Sequence, residues 1–160
     1  MSDPGFRIEV TEEQNSVAVD VPRLVETARR VLDAEGVPFG AFVGVRLVEP
    51  EVISELNESY MGRSGPTDVL SFPIDGPDLS GRARSPGAPP SVAGPTIIGD
   101  LVICPKVAEE NARSAGHDVS AELDLLVVHG LLHLLGWSHD HDDDTDLMRR
   151  RERELLGEAI

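Results

Sequence analysis

Residues 129–144 read HGLLHLLGWSHDHDDD and hold four of the chain's five histidines. Leu131, Leu132, Leu134 and Leu135 surround the first two, and LDLLVV precedes them at 123–128. An apolar run of this length, bounded by a glycine, reads as a helix buried against the rest of the fold. Ser120 is the expected N-cap, and Glu122 and Asp124 bring negative charge to the helix start. Gly136 is the expected stop, because glycine tolerates the left-handed conformation that closes a helix.

Four residues advance a helix by ~6 Å and return nearly to the same face, so His129 and His133 aim their imidazoles at one point. The chain turns back at Gly136, which lets His139 approach that point from a loop. Three imidazoles with a fourth position open form the ligand set of a catalytic zinc site, whereas structural zinc sites close the shell with four protein ligands. The competing reading is that these are core histidines. It has to explain two rings on one buried face and a third just past the stop, at the desolvation cost of several titratable groups without a shared partner. The spacing predicts one bound metal ion. Zinc suits the donors; nickel and copper also accept imidazoles.

Working outward, Phe6–Val10 alternates as a short strand, and Asp20-Val21-Pro22 caps a helix that carries Leu24, Val25, Ala28, Val31 and Leu32 as far as Gly36. Residues 40–48 predict a second strand and 51–61 a helix. Residues 67–74 (TDVLSFPI) predict a third strand, which Pro73 confines to a sheet edge or a strand end. Residues 75–95 are rich in Gly, Pro and Ser and read as a flexible loop between strands. A strand at 97–104 (IIGDLVIC) and a helix near 105–115 follow, and a last helix starts near Asp144. The expectation is a single α/β (α+β) domain over residues 1–160, with a mixed, mostly four-stranded sheet flanked by helices.

The remaining candidates take plainer readings. His141 lies off the ligand spacing and reads as a solvated loop residue. His117 has no companion in sequence and reads likewise. Cys104 reads as a small hydrophobe at a strand end, and a lone cysteine excludes an intrachain disulfide framework. Asp140 and the acids at 142–144 and 146 read either as partners that orient a ligand imidazole or as a solvated helix start.

No apolar run approaches a membrane span and the N-terminus has no leader pattern, so a soluble cytoplasmic protein is expected. The formal net charge of −15 opposes broad attraction to nucleic acid. Thirteen of the fourteen basic residues are arginines, which grip phosphate with a planar fork. If RNA is the substrate, arginine should gather around the metal cleft.

In zinc peptidases of the HExxHxxGxxH type, the glutamate after the first histidine takes a proton from zinc-bound water. Gly130 stands in that place here, so a peptidase loses its base. Zinc alone still lowers the pKa of bound water and polarises a phosphoryl oxygen, and RNA brings its own 2′-hydroxyl.

HGLLHLLG followed by His139, GPTDVLSFP at 65–73 and GDLVIC at 99–104 together resemble the YbeY family of bacterial rRNA maturation factors and metal-dependent endoribonucleases, from about Leu56 to Leu156. The resemblance implies one zinc ion on His129, His133 and His139, cleavage of single-stranded RNA, and a role in small-subunit rRNA 3′-end maturation and ribosome quality control. It also implies contact with the small ribosomal subunit or its assembly factors, and no membrane partner. Where the family carries arginine after the helix aromatic, this chain has Met61 after Tyr60, and Arg63 is the stand-in for a phosphate-binding, catalytic arginine. Where the family has Tyr-Asp before the third histidine, this chain has Trp137-Ser138, and Asp140 is the stand-in neighbour. GPTDVLSFP reads equally as a strand start fixed by Thr67 and Asp68 or as an edge that aligns a polymer. The alternative function is a non-catalytic ribosome-assembly protein with a structural metal site.

Overall fold

The computed structural model describes residues 6–38, 40–73, 97–137 and 142–157, with side chains in the last stretch from Asp146 onward. Strand β1 (Arg7–Glu13) leads into helix α1 (Val21–Ala34), then β2 (Phe42–Val48), α2 (Pro50–Leu56), β3 (Val69–Pro73) and β4 (Ile97–Ile103). Helices α3 (Pro105–Ala115), α4 (Val119–Leu134) and α5 (Asp142–Leu156) complete the order. The strands form one mixed sheet in the order β1-β2-β4-β3. β1, β2 and β4 run parallel, and β3 pairs antiparallel with β4. Parallel neighbours need a crossover, which α1 supplies between β1 and β2.

The strand faces follow the period of two. Val43, Val45, Leu47, Leu101 and Ile103 point to one face and pack with Leu24, Val31 and Leu32 of α1 and Leu131 and Leu132 of α4. Val48, Leu70 and Val102 point to the other, where Ile53 of α2 and Cys104 join them. Burying each large aliphatic side chain contributes ~1.5–3 kcal/mol. α4 is therefore the central helix of the main layer, which is why its sequence is apolar nearly all round.

The expected mixed four-stranded sheet is the observed one, with four local corrections. The N-cap of α4 is Asp118, not Ser120: its carboxylate accepts the Ala121 amide at 2.9 Å, and its carbonyl accepts from Glu122 at 3.2 Å. GHDVS holds two good caps, and the earlier one starts the helix. Asp124 lies past the first turn and binds Arg23 and Thr27 of α1 at 2.7 and 3.1 Å. The expected helix over 51–61 ends as α2 at Leu56 and continues as a π-helical turn, Asn57–Met61, closed by Gly62 at φ 68°. The third strand starts at Val69, so Thr67 and Asp68 precede it, and its place at the sheet edge accommodates Pro73. The loop expected at 75–95 lies outside the described residues.

Asp20 caps α1 as expected, accepting from the Arg23 amide at 3.2 Å. α4 ends at Gly136 as expected, in a Schellman turn. The Gly136 amide donates to the His133 carbonyl at 3.0 Å, the Trp137 amide donates to the Leu132 carbonyl at 2.9 Å, and Gly136 takes φ 102°.

Candidate metal centre and cleft

The last turns of α4 run beneath the edge strand β3. Ser71 Oγ donates to the Gly130 carbonyl at 3.1 Å, pinning the strand to the helix one residue past His129. On the helix face turned to this edge, the Nε2 atoms of His129 and His133 stand 3.1 Å apart, with the rings nearly perpendicular at 79°.

The other ring nitrogens set the tautomers. His133 Nδ1 lies 3.2 Å from the Trp137 carbonyl, which can only accept, so this nitrogen carries the proton. His129 Nδ1 lies 2.6 Å from Glu152 of α5, whose side chain is 12% exposed, and it donates to that carboxylate. With the Nδ1 protons so placed, the Nε2 atoms of both rings turn toward the same space. Two ligands of a tetrahedral zinc ion stand roughly 3.3 Å apart, given Zn–N bonds of ~2.0–2.1 Å. The donor chemistry and the spacing of this pair fit a zinc ion, with a carboxylate and a carbonyl orienting the rings from behind.

Among the described residues no group of three His, Cys, Asp or Glu side chains is placed to hold an ion. The expected third ligand, His139, lies outside them, as do Asp140 and His141.

Gly130 is explained by packing. A Cβ there would sit 2.6 Å from Leu101 Cδ2 and 3.4 Å from Ser71 Oγ, so position 130 faces the sheet. The residue after the first histidine therefore points into the core, where a side chain would have to displace the tip of Leu101.

A cleft of about 520 Å³ opens beside the imidazoles. His129 and His133 line one side, Val69, Ser71 and Pro73 of β3 another, and Arg63, Ser64, Pro66 and Thr67 the loop side. Arg63 is exposed, and its loop is held from below by Asn57, itself only 5% exposed. Asn57 Nδ2 donates to the Gly65 carbonyl at 3.0 Å, and the Asn57 carbonyl accepts the Arg63 amide at 3.3 Å. The π-helical turn thus presents Asn57 to the loop that carries Arg63. A second cleft of about 300 Å³, which shares His129 and Val69 with the first, is lined by Asp68, Glu122 and Glu152.

A profile of the family Endoribonuclease YbeY matches residues 9–159. The chain belongs to the YbeY family.

The YbeY match reaches well before Leu56, where the resemblance in sequence motifs begins. An Endoribonuclease YbeY from Saccharopolyspora erythraea is 43% identical over 150 residues, covering 94% of this chain and 75% of that protein. Another, from Thermobifida fusca, is 44% identical over 143 residues, covering 89% of this chain and 88% of its own. The solution structure of TM1509 from Thermotoga maritima superposes with a TM-score of 0.58 at 26% identity, covering 94% and 89% of the two chains.

For this YbeY chain, the structure brings together His129, His133 and Arg63 of the residues singled out in the sequence. Cys104 is fully buried, and burial pushes its thiol pKa up, which suits the hydrophobe reading. His117 is corrected: it has a companion, Glu122, 2.6 Å from its Nε2. The expected gathering of arginines reduces to Arg63 among the described residues lining the cleft, and the neighbouring cleft is acidic. Glu152, Asn57 and the Trp137 carbonyl were missed. Glu152 stands 23 positions after His129 within an arginine-rich helix, and no spacing rule links the two.

Proposed function

We propose that this chain is a zinc-dependent endoribonuclease that cuts single-stranded RNA, with one ion on His129, His133 and His139. We further propose that it acts in the cytoplasm on small-subunit rRNA, in 3′-end maturation and ribosome quality control, in contact with the small subunit or its assembly factors. The observation that carries the reading is the pair of Nε2 atoms 3.1 Å apart in the wall of a cleft that also holds Arg63. Membership of a family whose relatives are called endoribonucleases supports it. Among the described residues no helix is long and apolar enough to cross a membrane.

When bound, the ion supplies Lewis acidity to a phosphoryl oxygen and favours loss of a proton from an oxygen nucleophile. The chain's own groups do the rest. Arg63 binds a phosphate through its guanidinium, a charge-assisted contact suited to the planar fork. Strand β3 bonds to β4 on one side, and its far side borders the cleft where an extended single strand would lie. Asn57 keeps the Arg63 loop in place, and Glu152 and the Trp137 carbonyl hold the imidazole tautomers. Position 130 offers no carboxylate base, which disfavours peptide hydrolysis. RNA needs less there, since its 2′-hydroxyl is an internal nucleophile.

The test is incubation of the zinc-loaded protein with single-stranded RNA, with and without chelator. Cleavage that chelator stops and that His133→Ala abolishes is expected. Equal cleavage by the variant would assign the activity to a contaminant.

A second reading is favoured by the acids Asp68, Glu122 and Glu152 beside the site and by the charge of −15. In it, the protein is a ribosome-assembly factor whose metal is structural. Unfolding on zinc removal supports it; a retained fold with lost cleavage supports the enzyme.

A further inference from the structure

Glu35 breaks a local rule. It is the C-cap residue of α1, where the helix dipole disfavours a carboxylate, yet its side chain is 11% exposed. Its two oxygens have separate partners. Oε1 accepts the indole Nε1–H of Trp137 at 2.8 Å, and Oε2 accepts Nε–H of Arg151 at 2.6 Å. Arg151 also donates to the Ala34 carbonyl at 3.2 Å, so the same guanidinium caps the end of α1.

Each partner leads to one imidazole. Trp137 gives its carbonyl to His133 Nδ1. Arg151 precedes Glu152, whose carboxylate receives His129 Nδ1. One carboxylate on α1 therefore ties down the turn that orients His133 and the helix that orients His129. The indole N–H is needed for the first link, and Trp137 stands where the YbeY family tends to have tyrosine.

We infer that Glu35 is a positioning residue for the imidazole pair, acting on His133 through Trp137 and on His129 through Arg151 and α5. This rests on the zinc reading of the two histidines, although the tautomer part holds with or without metal. Partners that directly orient a metal ligand change affinity by roughly 10–100-fold. Glu35 acts one bond further out, so Glu35→Ala should weaken zinc binding about fivefold.

The experiment compares the full chain with Glu35→Ala, Glu35→Gln and Asp124→Asn. The last weakens, by removing the charge, the α1–α4 contacts to Arg23 and Thr27, neither of which hydrogen-bonds an imidazole or its partners, and so controls for lost stability. Zinc affinity is read by competition with a chromophoric chelator. Ring ¹⁵N shifts of the metal-free protein report the His129 and His133 tautomers. Glu35→Ala should lose affinity about fivefold and mix the His133 tautomers, and Glu35→Gln, which keeps an acceptor for the indole, should lose less. Asp124→Asn should stay within twofold of wild type whatever its melting midpoint. Should Glu35→Ala not fold, Glu35→Gln decides, with weaker affinity and a perturbed His129 ring expected. Unchanged affinity and unchanged ring shifts in the Glu35 variants, or a loss no larger than in Asp124→Asn, would overturn the inference. A wild-type chain that binds no zinc while the ring shifts respond to Glu35 would instead overturn the zinc reading alone.

Discussion

His129 Nδ1 and Glu152 Oε2 stand 2.6 Å apart, joining α4 to α5 through a side chain that is largely buried. This bond fixes which nitrogen of His129 faces the cleft. Glu152→Ala should cut zinc affinity by about 10–100-fold, and Glu152→Gln by less, because the amide oxygen can still accept. Chelator competition measures both. Affinities equal to wild type would show that His129 is oriented by other means.

Gly130 has Leu101 where a Cβ would go. Gly130→Ala gains ~1 kcal/mol of helix propensity but overpacks the core at a cost of ~1–3 kcal/mol. A net loss of about 1 kcal/mol in urea unfolding is expected, with the slope unchanged. A more stable variant would mean that Leu101 yields freely.

Arg63 is the cation that lines the cleft among the described residues. Arg63→Ala should weaken RNA cleavage chiefly through KM, and Arg63→Lys should recover part of it as a point charge. Asn57→Ala should act in the same direction by loosening the loop, with a stability cost of about 1 kcal/mol for the lost, partly buried hydrogen bond. Wild-type kinetics in Arg63→Ala would remove Arg63 from the site.

Away from the cleft, Arg46 binds Glu13 through two contacts of 2.7 and 2.8 Å and holds its carboxyl below the usual range. A lowered carboxylate value makes the folded state bind fewer protons. The pair's contribution is thus complete above Glu13's unfolded value and disappears as pH falls through the folded one. Both side chains are about a third exposed or more, so Arg46→Met should cost no more than ~0.5 kcal/mol at pH 7. The difference should vanish in acid. Unfolding curves across pH check this, and a difference that grew in acid would reverse the sign.

Much of the architecture was legible in the sequence because its signals are local. The apolar strand runs at 40–48 and 97–104, the Asp20 cap and the Gly136 stop each act within a few residues. The α4 cap was misplaced because Asp118 and Ser120 are nearly equivalent cap residues two positions apart. The π-helical turn at Asn57 has no composition cue. In the site, His129 and His133 could be read from helical spacing alone. Their supports could not: Glu152 and Glu35 reach the site from other helices, and a single acid in the sequence carries no mark of the tertiary contact it makes. That Gly130 brings no carboxylate follows from its identity alone, but its packing against Leu101 needed the sheet.

The direct test of the proposed metal centre is zinc stoichiometry by native mass spectrometry on wild type and on His129→Ala, His133→Ala and His139→Ala. One ion per wild-type chain, lost from each folded variant, is the expected result. A wild-type chain without zinc, or His129→Ala and His133→Ala variants that keep a full ion, would contradict it.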